Sequence, residues 1–149
     1  MDFLIIIILG LIVDRITKYW ALIKLTKIGD IIIIKNIFAF SYLENRGAAF
    51  GILQNKQLFL AAITSVILLL VIAYVFVKKP TSRLLRFSLA LIISGAIGNL
   101  IDRVRLRYVI DFILVHYKDV YYFPTFNVAD SLVVIGTALF ALYILKDGN

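Results

Sequence analysis

The chain has 149 residues, 62% of them hydrophobic, and a mean hydropathy of +1.00. It carries more apolar surface than a soluble domain of that size can hide, so one membrane-embedded domain over residues 1–149 is expected. The net charge of +7 suits anionic lipid headgroups, and its scatter through oily sequence speaks against nucleic acid. With no cysteine and a single histidine, His116, disulfides, thiol chemistry and multi-histidine metal sites are excluded.

The first apolar run, 3–23, is interrupted by Asp14, Arg15 and Lys18. It has no basic leader and no small-residue cleavage site, so it reads as a retained helix rather than a cleaved signal. Asp14 lies ~16 Å along that helix from Phe3. Asp14 and Lys18 are four apart with the acid first, the favourable order for an intrahelical pair. They either neutralise each other or face a polar cavity inside the bundle.

Residues 31–34 and 38–43 have strand composition. Asn45-Arg46-Gly47-Ala48-Ala49-Phe50-Gly51 then breaks the segment with small residues. It is a turn, or a backbone that must lie close to an extended ligand. Residues 58–77 carry no charge and are long enough to cross a ~30 Å hydrocarbon core. The cationic turn Lys78-Lys79-Pro80-Thr81-Ser82-Arg83 is cytoplasmic by the positive-inside rule. Residues 84–102 form the next span and 128–145 the last, after Pro124 and an Asn127 suited to an N-cap.

Both termini are then cytoplasmic, with 26–56 and 103–127 outside, although this leaves Arg103, Arg105 and Arg107 on the outer side. The expected fold is an all-α integral membrane protein with four transmembrane helices. A small extracytoplasmic β-containing segment would join helices 1 and 2, and an extracytoplasmic loop helices 3 and 4. From Arg103 to Asp111 polar and apolar residues alternate. An extended backbone there would put Asp111 on one face with the arginines. Tyr117, Tyr121, Tyr122 and Phe123 suit the headgroup level.

Asp111 and Asp130 are the acids most in need of explanation, because an ionised acid against lipid-facing sequence is costly. Singly, Asp130 could be a first-turn acid favoured by the helix dipole, and Asp111 an arginine partner. Together they suggest a pair sharing a proton, one acting as general base on a water while the other hydrogen-bonds a substrate carbonyl. That requires the outer segment to fold back onto the last helix. Asn99 and Arg103 share a helix face, with Gly95 on the same stripe and Gly98 beside it. Asp102 could bond Arg103 or a loop backbone. Ser131 has no base at readable spacing, and His116 is followed by no convincing partner.

These pieces resemble the bacterial lipoprotein signal peptidase family, signal peptidase II. Asp14-Arg15-Ile16-Thr17-Lys18, Asn45-Arg46-Gly47-Ala48-Ala49-Phe50, Gly95-Ala96-Ile97-Gly98-Asn99-Leu100-Ile101-Asp102-Arg103, Val109-Ile110-Asp111-Phe112 and Phe126-Asn127-Val128-Ala129-Asp130-Ser131 are similar to its five motifs and stand in its order. The resemblance implies an aspartic endopeptidase of the bacterial cytoplasmic membrane. It would cut a diacylglyceryl-modified prolipoprotein just before the lipidated cysteine. It implies Asp111 and Asp130 as the catalytic pair. Asn45, Gly47, Asn99, Arg103 and Asn127 would line the site near the extracytoplasmic face, with Asp14 and Lys18 in support. No metal or organic cofactor is implied. Membrane lipids are expected partners, and a monomer is expected. Two departures stand out: there is no glycine between Asp102 and Asp111, and Ser94 stands where a glycine is common. The competing reading is a small proton- or ion-coupled transporter using the buried acids.

Overall fold

The structure, a computed structural model, describes residues 2–47, 52–118 and 120–147. Ala48, Ala49, Phe50 and Gly51 of the expected turn lie outside the described residues. In chain order the elements are α1 (Asp2–Ile28), β1 (Ile31–Ile34), β2 (Phe38–Asn45), α2 (Gln57–Lys78), α3 (Arg83–Leu106), β3 (Val109–Tyr117), β4 (Tyr121–Tyr122) and α4 (Val128–Asp147). Among the described residues α2, α3 and α4 are long and apolar enough to cross a membrane.

α3 is the central helix, packing against α1, α2 and α4. Small residues set its spacing. A Cβ on Gly95 would lie 2.2 Å from the Ala129 carbonyl oxygen, and one on Gly98 would lie 2.7 Å from Asp14 Oδ2. Neither contact is tolerated without a shift, of the α4 backbone at Gly95 and of the Asp14 carboxylate at Gly98, so glycine at these positions lets α4 and α1 approach α3 closely. Ser94 fits by the same logic in reverse. Its hydroxyl donates to the Ile7 carbonyl at 3.1 Å, and Gly10 opposite leaves the room, since a Cβ there would lie 2.3 Å from Ser94 Oγ.

The all-α expectation is corrected by the sheet. Its order is β1-β2-β3-β4, antiparallel throughout, so the stretch between α3 and α4 is not a loop but the partner of the α1–α2 segment. β2 pairs with β3 in a register that sets Leu43 opposite Asp111 and Asn45 opposite Val109. Below it, Ala21, Leu25, Ile110 and Phe112 form a buried cluster, with Trp20 edge-on to Phe40 at 5.3 Å.

Two helix boundaries differ from expectation. α1 continues past residue 23 to Ile28, because Lys24 and Lys27 are exposed helix formers beyond the apolar run, and Gly29 at φ 75° ends it. α3 continues to Leu106, so the alternation over Arg103–Leu106 is helical, not extended. Arg107 then takes a left-handed conformation, φ 67°, as the C-cap. That backbone favours glycine, which accounts for the glycine expected in this stretch and replaced here.

Candidate active site

The site forms where the C-terminal part of α3, the start of α4 and the sheet meet. β3 carries Asp111 into the interior, wholly buried. The segment after β4 then folds back along it. Phe126 accepts from the N–H groups of Phe112 and Ile113 at 3.0 and 2.8 Å and donates to the Ile113 carbonyl at 3.1 Å. This is the return that the pairing of Asp111 with the α4 acid required. It delivers Asn127, also wholly buried, to the α4 N-terminus.

Asn127 works in two directions. Its Oδ1 accepts the Asp130 N–H at 2.9 Å, and its own N–H donates to Asp130 Oδ2 at 3.1 Å, a reciprocal cap of the first turn. Its Nδ2 donates to Asp111 Oδ1 at 2.7 Å and to Asn99 Oδ1 at 3.2 Å. From α3, Asn99 Nδ2 donates to Asp130 Oδ1 at 2.7 Å. From the end of β2, Asn45 Nδ2 donates to Asp111 Oδ2 at 2.9 Å. Three asparagine amides thus hold two carboxylates. The Gly47 N–H donates to Asn45 Oδ1 at 2.9 Å, leaving the Asn45 NH₂ free to face Asp111. A Cβ on Gly47 would lie 2.8 Å from the Ile52 carbonyl oxygen, so the approach of Ile52 to Gly47 favours glycine.

Both aspartates line one cavity of about 1140 Å³. Its polar end includes Asn45, Asn99, Arg103, Asp111 and Asp130, and its apolar wall comes from Ile67, Leu68 and Val71 of α2, Ile92 and Ala96 of α3, and Val133 and Val134 of α4. Arg103 is half-buried, close enough to feel the charges of Asp130, Asp111 and Asp102, and its buried Nε has no hydrogen-bond partner among the described residues. Burial first, and then the neighbouring Asp130 charge, push the Asp111 carboxyl up to about 7; the bonds from Asn45 and Asn127 and the Lys18 charge pull the other way.

Asp14 and Lys18 do pair, at 3.1 Å, but not alone. Lys18 also reaches Asp102 at 2.8 Å. Arg15 bonds Asp14 at 2.5 Å, Asp102 at 2.6 Å and the Gly98 carbonyl at 2.9 Å. Of the two partners expected for Asp102, the backbone one is present, the Ile110 N–H at 3.4 Å; its ion pairs with Arg15 and Lys18, and a role for Arg15, were not foreseen. Charge balance was the available signal: Lys18 and Arg15 against Asp14 alone leave one buried cation uncompensated, and Asp102 was the spare acid of α3. The α2 wall was also missed, since a featureless apolar helix gives no sign of which side faces a cleft. Ser131 donates to the Asn127 carbonyl at 3.0 Å, and His116 Nδ1 lies 2.8 Å from the Lys118 carbonyl oxygen while its ring stacks on Tyr122.

The fold and this site define a membrane protein with two carboxylates converging on one cleft, a constellation suited to acid–base hydrolysis. Comparison with known proteins narrows the class. A family model described as Signal peptidase (SPase) II matches residues 6–146. The chain is 58% identical over 144 residues to a lipoprotein signal peptidase of Clostridium tetani, covering 97% of this chain and 92% of that one. Its likeness to that of Clostridium novyi is 56% over 144 residues, 97% of each. A solved bacterial membrane enzyme superposes with a TM-score of 0.88 at 34% identity, over 99% of this chain and 90% of that one. A second gives 0.83 at 32%, over 98% and 94%. The chain belongs to the signal peptidase II family and is a membrane peptidase; the transport alternative finds no support.

Proposed function

We propose that the chain is an aspartic endopeptidase of the bacterial cytoplasmic membrane, with Asp111 and Asp130 as its catalytic pair. Its substrate is a diacylglyceryl-modified prolipoprotein, cut just before the lipidated cysteine. The observation that carries the reading is the convergence of the two acids, one from a strand and one from a helix start, on a cleft walled by apolar residues of α2, α3 and α4. A lipid-anchored peptide travels in the bilayer plane, and such a cleft gives its apolar parts a wall while its scissile bond meets the carboxylates.

The chemistry follows from the unequal surroundings of the two acids. Asp130, at a helix N-terminus and accepting from Asn99 and the Asn127 N–H, is the ionised partner. Asp111, pushed up to about 7, keeps the shared proton. Asp130 takes a proton from water as the water oxygen attacks the scissile carbonyl carbon, and Asp111 gives its proton to the carbonyl oxygen. The tetrahedral diol collapses as Asp130 returns a proton to the cysteine nitrogen and the C–N bond breaks. Asp111 recovers its proton from the diol, leaving a carboxylic acid and a free amine. The cationic Arg103, with a donor to spare, faces the substrate backbone. Asn45, Gly47, Asn99 and Asn127 hold the acids.

α1 is the fourth span. Its charged Asp14 and Lys18 are buried, and its outward positions Ile5, Ile8, Leu9, Ile12, Ile16 and Ile23 are exposed apolar residues, as a lipid-facing helix requires. The cationic 78–83 turn puts both termini in the cytoplasm, which sets the sheet and the site at the extracytoplasmic face of a monomer surrounded by membrane lipid.

The test is cleavage of a lipidated precursor by the purified protein. Asp111→Asn and Asp130→Asn should each reduce turnover by at least ~10³-fold while the protein still inserts and folds. Retained turnover in either variant would sink the pair assignment.

A further inference from the structure

Behind the carboxylate pair lies a second polar centre, on the α1 side of α3. Asp14, Arg15, Lys18 and Asp102 form a neutral cluster of two acids and two cations. All three N–H bonds of the Lys18 ammonium are used, on Asp14 at 3.1 Å, Asp102 at 2.8 Å and Asn99 Oδ1 at 2.9 Å. Neutralisation alone would not require the third. The cluster also touches the site's backbone at two points. Asp14 Oδ1 accepts the N–H of Ala129, the residue before Asp130, at 3.2 Å. Asp102 Oδ2 lies 3.4 Å from the N–H of Ile110, the residue before Asp111. Each arm of the cluster therefore ends beside one member of the pair.

The Asn99 contact carries the most information. A side-chain amide has two orientations, and only one presents its NH₂ to Asp130. Lys18 has donors and no acceptor, so it selects the orientation in which Asn99 offers Oδ1 to it. Asn127 Nδ2 supports the same choice at 3.2 Å. Reversed, the Asn99 oxygen would face the Asp130 carboxylate, and its NH₂ would face an ammonium.

We infer that Lys18 is a positioning residue for the peptidase reaction: it locks the Asn99 amide so that Asp130 is held and oriented to take the proton of the attacking water. The inference rests on the reading of Asp111 and Asp130 given above. It assigns Lys18 a part in turnover, beyond balancing buried charge.

Lys18→Met alone leaves a buried negative charge and confounds the two roles. The informative protein is K18M/D102N. It restores neutrality, keeps one amide oxygen to accept from Arg15, which Asp102 Oδ1 does in the wild type, and deletes the donor to Asn99. Wild type, K18M/D102N, N99A and the triple variant are compared in one lipidated-peptide assay. K18M/D102N should recover most of the thermal stability that K18M loses, yet keep a kcat about 100-fold below wild type, with KM changed less than about threefold. The triple variant should be no slower than N99A, because both changes act through one amide. Wild-type kcat in K18M/D102N, or multiplicative losses in the triple variant, would overturn the inference. If K18M/D102N does not fold, K18M/D14N makes the same neutral deletion, with the same expected results. The side-chain NH₂ resonances of Asn99 in ¹⁵N-asparagine-labelled protein give a readout that needs no substrate. Wild type and D130N should differ there, and K18M/D102N should lose that difference. If wild type does not cleave the lipidated peptide, the functional reading fails, and these resonances still decide whether Lys18 sets the amide. An unchanged Asn99 signal in K18M/D102N would refute that it does.

Discussion

Two polar centres share the interior of one helical bundle and follow opposite rules. In the cluster of Asp14, Arg15, Lys18 and Asp102, charges cancel, and each ion meets an opposite charge within 3.1 Å. Around Asp111 and Asp130 the hydrogen-bond partners are neutral amides, two carboxyl groups face one cleft, and among the described residues the nearby Arg103 Nε has no hydrogen-bond partner. A buried ion that is fully paired is fixed in place, and a buried acid held by neutral amides rather than in an ion pair is left with a proton to exchange. α3 separates the two regimes and serves both. Asp102 turns toward the cluster, and Asn99 and Arg103 toward the cleft.

Breaking the closed centre should cost the most stability. Lys18→Met strands a buried carboxylate, and a loss of about 3–5 kcal/mol is expected in a thermal or denaturant melt. Narrowing the gap between the helices that hold the centres comes next. Gly95→Ala places a methyl 2.2 Å from the Ala129 carbonyl oxygen and should cost about 1–3 kcal/mol, displacing the start of α4 and lowering turnover with it.

The open centre should respond with the opposite sign. Asp111 has its folded value raised to about 7 from an ordinary 3.8. Its ionisation therefore works against the fold: the penalty is absent below the ordinary value, grows between the two, and is complete above about 7. Asp111→Asn should abolish cleavage yet gain ~1 kcal/mol or more in stability at pH 8, an advantage that fades toward pH 4. Melting curves at the two pH values check it, and a loss of stability at pH 8 would place Asp111 among the paired ions instead. The smallest effect is expected at the α3 C-cap. Arg107→Gly relieves a side chain at φ 67° and should add less than about 1 kcal/mol without changing turnover.

The sequence showed the acids and amides of the site more readily than the path of the chain around them. Asn99, Asn127, Asp111 and Asp130 stood out because polar groups in oily sequence need a reason, and all four meet in the structure. Asp14 and Lys18 were legible from helical spacing. The sheet was half legible. Residues 31–34 and 38–43 have strand composition, and the second strand runs on to Asn45, but the Val109–Tyr117 strand followed a misleading alternation that is helical up to Leu106. Period-2 patterning at a helix end reflects arginines beside apolar residues at an interface, and only the left-handed Arg107 marks where the backbone changes. The ion pairs of Asp102 with Arg15 and Lys18 escaped because ion pairs between helices leave no spacing signal.

The central claim is that Asp111 and Asp130 titrate as one proton-sharing pair. The pH dependence of kcat/KM for a lipidated precursor tests it most directly. The account predicts a bell with two apparent ionisations, the upper one near 7, above which the rate falls about tenfold per pH unit as the shared proton is lost. A profile that rises through one acidic group and stays flat well above 7 would contradict it.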